Sequence, residues 1–304
     1  MEMEIDFTNA PVNRLRMYGG GNGNKISIIY EGENYMLKFP PKPTRNPDTS
    51  YTNSCISEYV ACRIFETLGM KTQKTLLGRY GDKITVACRD FEADGFVLKD
   101  FAHLKNTVID SANNGYGTEL YDVLDTIQEQ QIVAPEELEN FFWEMFVGDA
   151  LLGNFDRHNG NWGFLINERA GAVKIAPVYD CGSCLYPQLD EAKMRVVLES
   201  RKEIENRLFV FPNSALKLDG VKINYARFLA TTKNKGCLRA LKTIGGRIDM
   251  AKINAVIDST PYISETHKAF LKTMIEERKR QVIDHALSVM RETQTRTNLD
   301  YMER

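Results

Sequence analysis

The segment that most constrains how this chain can fold lies between Leu138 and Cys184. Apolar residues recur at helical spacing through Leu138, Phe141, Phe142, Met145, Phe146, Ala150 and Leu151, which predicts a buried helix ending near Gly153. A polar loop follows at once, N154-F-D-R-H-N-G-N161. Two strand-like runs come next, 162–166 and 173–179, around a turn at 167–171, and then Asp180-Cys181-Gly182. Asp, Asn and Gly are ordinary turn residues, so D-x-x-x-x-N spacing alone says little. Its place between a buried helix and a hairpin gives it weight.

The loop carries a specific set of groups. Asp156 and Asn161 stand five positions apart, and Asp180 follows the hairpin. Phosphoryl transfer from ATP needs one carboxylate to accept the proton of the attacking hydroxyl. It also needs an amide oxygen and a second carboxylate to hold the magnesium ions that bridge the phosphates. Protein kinases carry these groups as D-x-x-x-x-N followed by D-F-G. Here D156-R-H-N-G-N161 and D180-C-G182 agree in spacing and order.

Upstream, the chain reads as strands. Residues 14–17 predict a first strand, and Y18-G-G-G-N-G-N24 is the one dense glycine cluster of the sequence. Gly20, Gly21, Asn22 and Gly23 are the candidate phosphate loop, since glycines let successive N–H groups approach an anion. The stretch is neither a Walker A loop nor a strict G-x-G-x-x-G, and similar residues make plain hairpin turns. Strands are predicted at 25–30 and 35–39 around a turn at 31–34. Lys38 lies in the second, between Leu37 and Phe39, where a buried ammonium needs a negative partner; the alternative is an edge lysine facing water. After a proline-rich connector (40–50), Thr52 or Asn53 can cap a helix that Gly69 stops. Its apolar stripe is Ile56, Val60, Ile64 and Leu68, and Glu58 is the candidate partner for Lys38, with Glu66 the poorer one. Strands at 75–80 and 84–91 follow, and Cys88, Arg89, Asp90 and Phe91 form the candidate hinge against the adenine edge.

From Phe96 onward the pattern turns helical, with segments near 117–130, 135–153, 189–205, 224–231, 236–244, 249–258 and 264–293. The charge run 276–280 reads as a solvated helix face, and the tail beyond Arg291 has no core pattern and is expected to fray. The expectation is an α+β, two-lobed, protein-kinase-like fold, with a strand-rich small lobe at 1–92 and a helical large lobe at 93–304. Composition bears mainly on partners. A formal net charge of -2 makes no electrostatic case for nucleic acid or an acidic membrane. No apolar run approaches the roughly 20 residues of a membrane span, and M-E-M-E-I-D-F has no signal-peptide core. The product is expected to be cytoplasmic as synthesised, with signal-independent secretion into host cells left open. The six cysteines, at 55, 62, 88, 181, 184 and 237, read as reduced thiols. Cys181-Gly-Ser-Cys184 is formally C-x-x-C but lacks the second pair of ligands a structural zinc needs.

The combination of N154-F-D-R-H-N-G-N161, Y179-D-C-G-S183, a strand lysine and S57-E-Y-V-A-C62 resembles the HipA family of serine/threonine kinases, in a short-form branch, over nearly the full chain. The resemblance implies ATP and Mg2+, phosphorylation of Ser and Thr hydroxyls on proteins, host proteins among them, and autophosphorylation. It implies Asp156 as base, Asn161 and Asp180 as metal ligands, Lys38 on the phosphates, and Gly20 to Gly23 as phosphate loop. Two departures matter. HipA proteins have a further N-terminal subdomain and act with a DNA-binding antitoxin, whereas this chain begins almost directly with the small lobe, so an antitoxin partner is not expected. HipA is also switched by a serine ahead of its phosphate loop, and residues 14–18 contain none. Arg157 is expected to steady Asp156 or a phosphate, and His158 to pack within the loop. Three other readings stay open: a phosphoinositide or small-molecule kinase with the same three groups, a nucleotide-binding interaction module without catalysis, and a metal hydrolase using Asp156, His158 and the Cys pair.

Overall fold

The computed structural model describes residues 4–18, 25–41, 51–92, 95–108 and 114–302, with side chains to residue 295. The candidate phosphate loop (Gly20, Gly21, Asn22, Gly23) and most of the proline-rich connector lie outside the described residues.

Alternating strands build the first half. β1 (Ile5–Asp6), β2 (Lys25–Tyr30), β3 (Glu33–Lys38), β4 (Thr75–Tyr80) and β5 (Lys83–Arg89) form one sheet in the order β1-β4-β5-β3-β2. Only β1 on β4 is parallel. Period-two alternation gives the sheet two faces. Tyr35, Leu37 and Ala87 join Phe7 and Ile28 in a small core on one face. Val86 and Cys88 belong to the main core on the other, together with α1 (Ser54–Thr67). Lys38 pairs in register with Val86, which turns it toward α1. The stripe Ile56, Val60, Ile64 and Leu68 is buried, and Gly69 follows at φ 78°. The strand expected at 14–17 is a correction. Arg14 and Leu15 form a turn, and Leu15 and Met17 are 97% and 85% exposed, so no apolar face holds that segment on the sheet. The first strand is β1.

β6 (Val97–Asp100), β7 (Gly163–Asn167) and β8 (Ala172–Ile175) form a second, antiparallel sheet in that order. The β7–β8 hairpin matches the sequence reading; β6, which leads straight into α2 (Phe101–Val108), was not foreseen. The remainder comprises α3 (Leu120–Glu129), α4 (Pro135–Leu152), α5 (Glu191–Glu199), α6 (Arg201–Phe209), the hairpin β9 (Lys217–Leu218) and β10 (Val221–Lys222), then α7 (Tyr225–Thr231), α8 (Lys235–Arg247), α9 (Met250–Ser259), α10 (Glu265–Arg278), a π-helical turn (Lys279–Asp284) and α11 (His285–Met302). α4 is the central helix, with Leu138, Phe142, Trp143, Met145, Phe146, Ala150 and Leu151 buried. It ends at Gly153, whose φ of 67° supplies the left-handed cap. A Cβ at Gly148 would stand 2.2 Å from the Phe65 ring, so glycine there makes room for that side chain of α1 on the surface of α4.

Two further expectations change. The helix predicted over 189–205 is broken at Ser200, whose hydroxyl accepts the Glu203 N–H at 3.3 Å and starts a new helix. The tail beyond Arg291 continues as helix to Met302, because extending an established helix needs no apolar stripe of its own. Among the described residues no helix is long and apolar enough to cross a membrane.

One buried histidine makes stability depend on pH. His267, in the first turn of α10, is 7% exposed, and burial lowers its pKa from 6.5 to about 4. Between those values the unfolded chain binds a proton that the folded chain refuses. The stability contribution is therefore whole above pH 6.5 and lost as pH falls to about 4. The full loss is about 3 kcal/mol. Urea midpoints at pH 7 and pH 4 should differ more for the native chain than for His267→Phe; equal differences would exclude this residue as the cause.

Candidate active site

β3, α1 and the D-C-G turn meet at one lysine. Lys38 Nζ donates to Glu58 Oε2 at 2.9 Å and to Asp180 Oδ1 at 3.0 Å. Glu58 lies just over one turn into α1, with its side chain 1% exposed. Its other oxygen accepts the Cys181 N–H at 3.1 Å. Burial works against the Lys38 ammonium, but the Asp180 and Glu58 carboxylates outweigh it and hold the pKa well above that of an ordinary lysine. Lys38 in turn draws the Asp180 carboxyl down to about 2. Asp180 sits at φ 55°, a left-handed conformation that Asp tolerates better than most residues and that often marks functional turns.

The loop 154–161 hangs on a second buried ion pair. Arg157 reaches Asp149, near the end of α4, with Nε to Oδ2 at 2.9 Å and Nη2 to Oδ1 at 3.1 Å. Its Nη1 donates to the carbonyl of Asn161 at 2.9 Å and also to the carbonyl of Tyr179. Asn154 braces the same network, donating to Asp149 Oδ1 at 2.9 Å and accepting the Asp156 N–H at 3.0 Å. Asn161 Nδ2 donates to the Asp156 carbonyl at 2.8 Å, and Asn161 lines the cleft. The Asp156 carboxylate stands at the cleft floor. Partial burial raises its pKa above the usual carboxylate range, Asp180 adds to the rise, and His158, Lys222 and Arg157 oppose it.

Lys38, Glu58, Asp156, Asn161 and Asp180 all line one cleft of about 1100 Å³. Apolar side chains also line it, Met36, Val86, Phe91 and Leu98 among them, and form an apolar slot, with Phe91 edge-on to Tyr179 at 5.5 Å. Asp90 borders the slot and accepts from Arg16 at 2.7 and 3.0 Å and from the Tyr18 hydroxyl at 2.8 Å. It thereby ties down the lead-in to the glycine stretch.

A family model, the HipA-like C-terminal domain, matches residues 17–234. The chain belongs to the HipA-like family. It is 54% identical over 283 residues to the serine/threonine-protein kinase CtkA of Helicobacter pylori, covering 93% of this chain and 87% of that protein. The crystal structure of a Helicobacter pylori proinflammatory kinase CtkA matches with a TM-score of 0.89 at 52% identity, covering 94% of this chain and 98% of that one. HipA of Shewanella oneidensis, solved with HipB and operator DNA, shares the fold at a TM-score of 0.56 and 15% identity, over 91% of this chain and 69% of that one. This HipA-like chain is a serine/threonine protein kinase with the two-lobed α+β kinase fold.

Of the residues singled out in the sequence, the HipA-like kinase brings Lys38, Glu58, Asp156, Asn161 and Asp180 together and sets Asp90 and Phe91 on the cleft wall. Cys88 is fully buried in the core behind that wall. Arg89 is a correction: β5 turns its side chain outward to Glu33 at 2.9 Å. Its N–H donates to the Lys74 carbonyl and its own carbonyl accepts from Gln73, each at 2.8 Å. For Arg157 only the phosphate alternative is corrected: it is buried against Asp149 and braces the loop that carries Asp156 through the Asn161 carbonyl. Glu66 bonds Thr72 on the surface rather than Lys38. His158 accepts the Gly160 N–H through Nδ1 at 3.0 Å, a loop-packing contact. Cys181 and Cys184 are buried, and among the described residues no group of three or more His, Cys, Asp or Glu could hold a metal. Three contributors escaped the sequence reading. Asp149 had a signal, a lone carboxylate in the apolar run V147-G-D-A-L-L152 that demands a buried partner. Asn154 and Lys222 gave none.

Proposed function

We propose that the kinase transfers the γ-phosphoryl group of ATP to Ser and Thr hydroxyls of protein substrates, itself included, with Asp156 as the base. The observation that carries this reading is the convergence of Lys38, Glu58 and Asp180 within hydrogen-bonding distance, at 2.9 and 3.0 Å, in the cleft that also holds Asp156 and Asn161. The donors suit magnesium: an ionised carboxylate from Asp180 and an amide oxygen from Asn161 are hard oxygen ligands that leave room for water and phosphate. Asp180 and Asn161 would hold the magnesium, which would supply positive charge to neutralise the phosphates.

The chain's own residues do the rest. Lys38, kept charged by its two carboxylates, offers its ammonium to the phosphates, and Glu58 keeps it aimed. The apolar slot takes the adenine ring. Asp156 orients the acceptor hydroxyl and takes its proton, and its raised pKa makes it a stronger base than an ordinary aspartate. Arg157 and Asn154 hold the loop backbone so that these groups need not reorganise during transfer.

Asp180→Asn is expected to lower transfer at fixed magnesium by at least about 10²-fold and to raise the magnesium concentration needed for half-maximal rate. A magnesium titration of autophosphorylation and peptide phosphorylation measures both. Near-native transfer with an unchanged magnesium requirement would remove Asp180 as the ligand.

A further inference from the structure

We propose that an apolar groove beside the catalytic loop docks one flank of the protein substrate, an apolar side chain with an acidic neighbour, a few residues from the acceptor hydroxyl. The inference rests on Asp156 being the base and specifies what the substrate carries. The groove has a volume of about 1000 Å³ and runs between the end of α6, the β9–β10 hairpin and α7. Phe209, Val210 and Val221 line it and are 44%, 64% and 69% exposed, with Phe211 alongside at 43%. Single exposed apolar residues are ordinary on a soluble surface; four gathered at one groove mark a binding surface.

Continuity with the catalytic cleft identifies the occupant. Lys222 lines both the cleft and the groove, and its charge acts on the Asp156 carboxyl. Phe155, next to Asp156, packs on Phe211 with ring centroids 5.4 Å apart, so the apolar surface begins one residue from the base. An extended peptide advances about 3.3–3.6 Å per residue, and a hydroxyl held at Asp156 leaves its near neighbours over this groove. The hairpin wall is held in place rather than loose. The Glu119 carboxylate accepts the N–H groups of Asp219 and Gly220 at 2.6 and 3.1 Å, and Lys217 N–H donates to the Thr118 carbonyl at 2.8 Å. The ionisable residues lining the groove are Lys222, Arg227 and His285, with no carboxylate among them, which favours an acidic neighbour over a basic one.

The probe is a degenerate Ser/Thr peptide library in which one flanking position at a time is fixed as Leu, Phe, Ala, Asp or Lys. For the native kinase, kcat/KM should favour Leu or Phe over Ala by about tenfold or more at one or two positions on one side of the acceptor. Asp should exceed Lys at an adjacent position. In Val210→Asp/Val221→Asp the Leu-to-Ala ratio should fall to about one. Because the ratio is taken within a single preparation, partial unfolding of the variant does not imitate the effect. A native kinase without apolar preference, or a preference that survives the double substitution, overturns the proposal. So does a concentration-dependent dimer that the double variant disperses while peptide preference stays flat, since the groove would then seat a second copy. Should Asp156→Asn still transfer phosphate, the base assignment fails, and the peptide ratios still report on the groove independently.

Discussion

Replacing Asp156 by Asn is expected to slow phosphoryl transfer by about 10²–10⁴-fold while nucleotide binding stays close to native. The substitution removes the proton acceptor and little else. The loop keeps its shape through backbone groups: the 156 N–H is held by Asn154 at 3.0 Å and the 156 carbonyl by Asn161 at 2.8 Å, and neither bond uses the carboxylate. Lys38, Glu58 and Asp180 form their own cluster, so the phosphate end of the cleft is untouched. Single-turnover incorporation of phosphate into a Ser/Thr peptide measures the first effect, and equilibrium binding of a non-hydrolysable ATP analogue the second. Retention of rate would place the base elsewhere; joint loss of rate and binding would make Asp156 a structural residue.

Arg157→Met is expected to destabilise the fold by about 3–5 kcal/mol, because it strands the Asp149 carboxylate in the core without its partner. The Asp149 side chain is 1% exposed and Arg157 5%. Arg157 also satisfies the carbonyls of Asn161 and Tyr179, so its loss leaves buried acceptors unpaired as well. Arg157→Lys should recover only part of this, since an ammonium cannot reproduce the forked contact. Adding Asp149→Leu to Arg157→Met should restore some stability by removing the stranded charge. Urea denaturation of the three variants measures these effects. A native midpoint for Arg157→Met would mean that the pair is not what holds the loop.

Both experiments separate what was readable locally from what was not. The helix, polar loop, hairpin and D-C-G order between Leu138 and Cys184 was legible because each part is signalled by neighbours in sequence: helical spacing, a left-handed Gly153, period-two alternation. The Lys38–Glu58 pair was legible for a related reason, since a lysine in an apolar strand needs a carboxylate and the next helix offers one near its start. The strand misplaced at 14–17 failed because Arg14 to Met17 alternates polar and apolar residues without a face to bury. β6 was missed because its four residues pair with a strand far along the chain, and such short runs have no period of their own. Arg89 was read as a cleft residue from its position in the hinge, but strand alternation turns it outward to Glu33.

By itself the sequence determined the family and supplied the candidate reacting groups and their order, because phosphoryl transfer demands particular side chains at particular spacings and these survive in one dimension. Tertiary structure alone decided that Arg157 braces the loop instead of facing the cleft, and that Lys222, on a distant hairpin, lines both the cleft that holds Asp156 and an open apolar groove. The physical reason is burial. A charge chooses its partner by what surrounds it after folding, and contacts between distant segments leave no periodic trace in the chain that forms them.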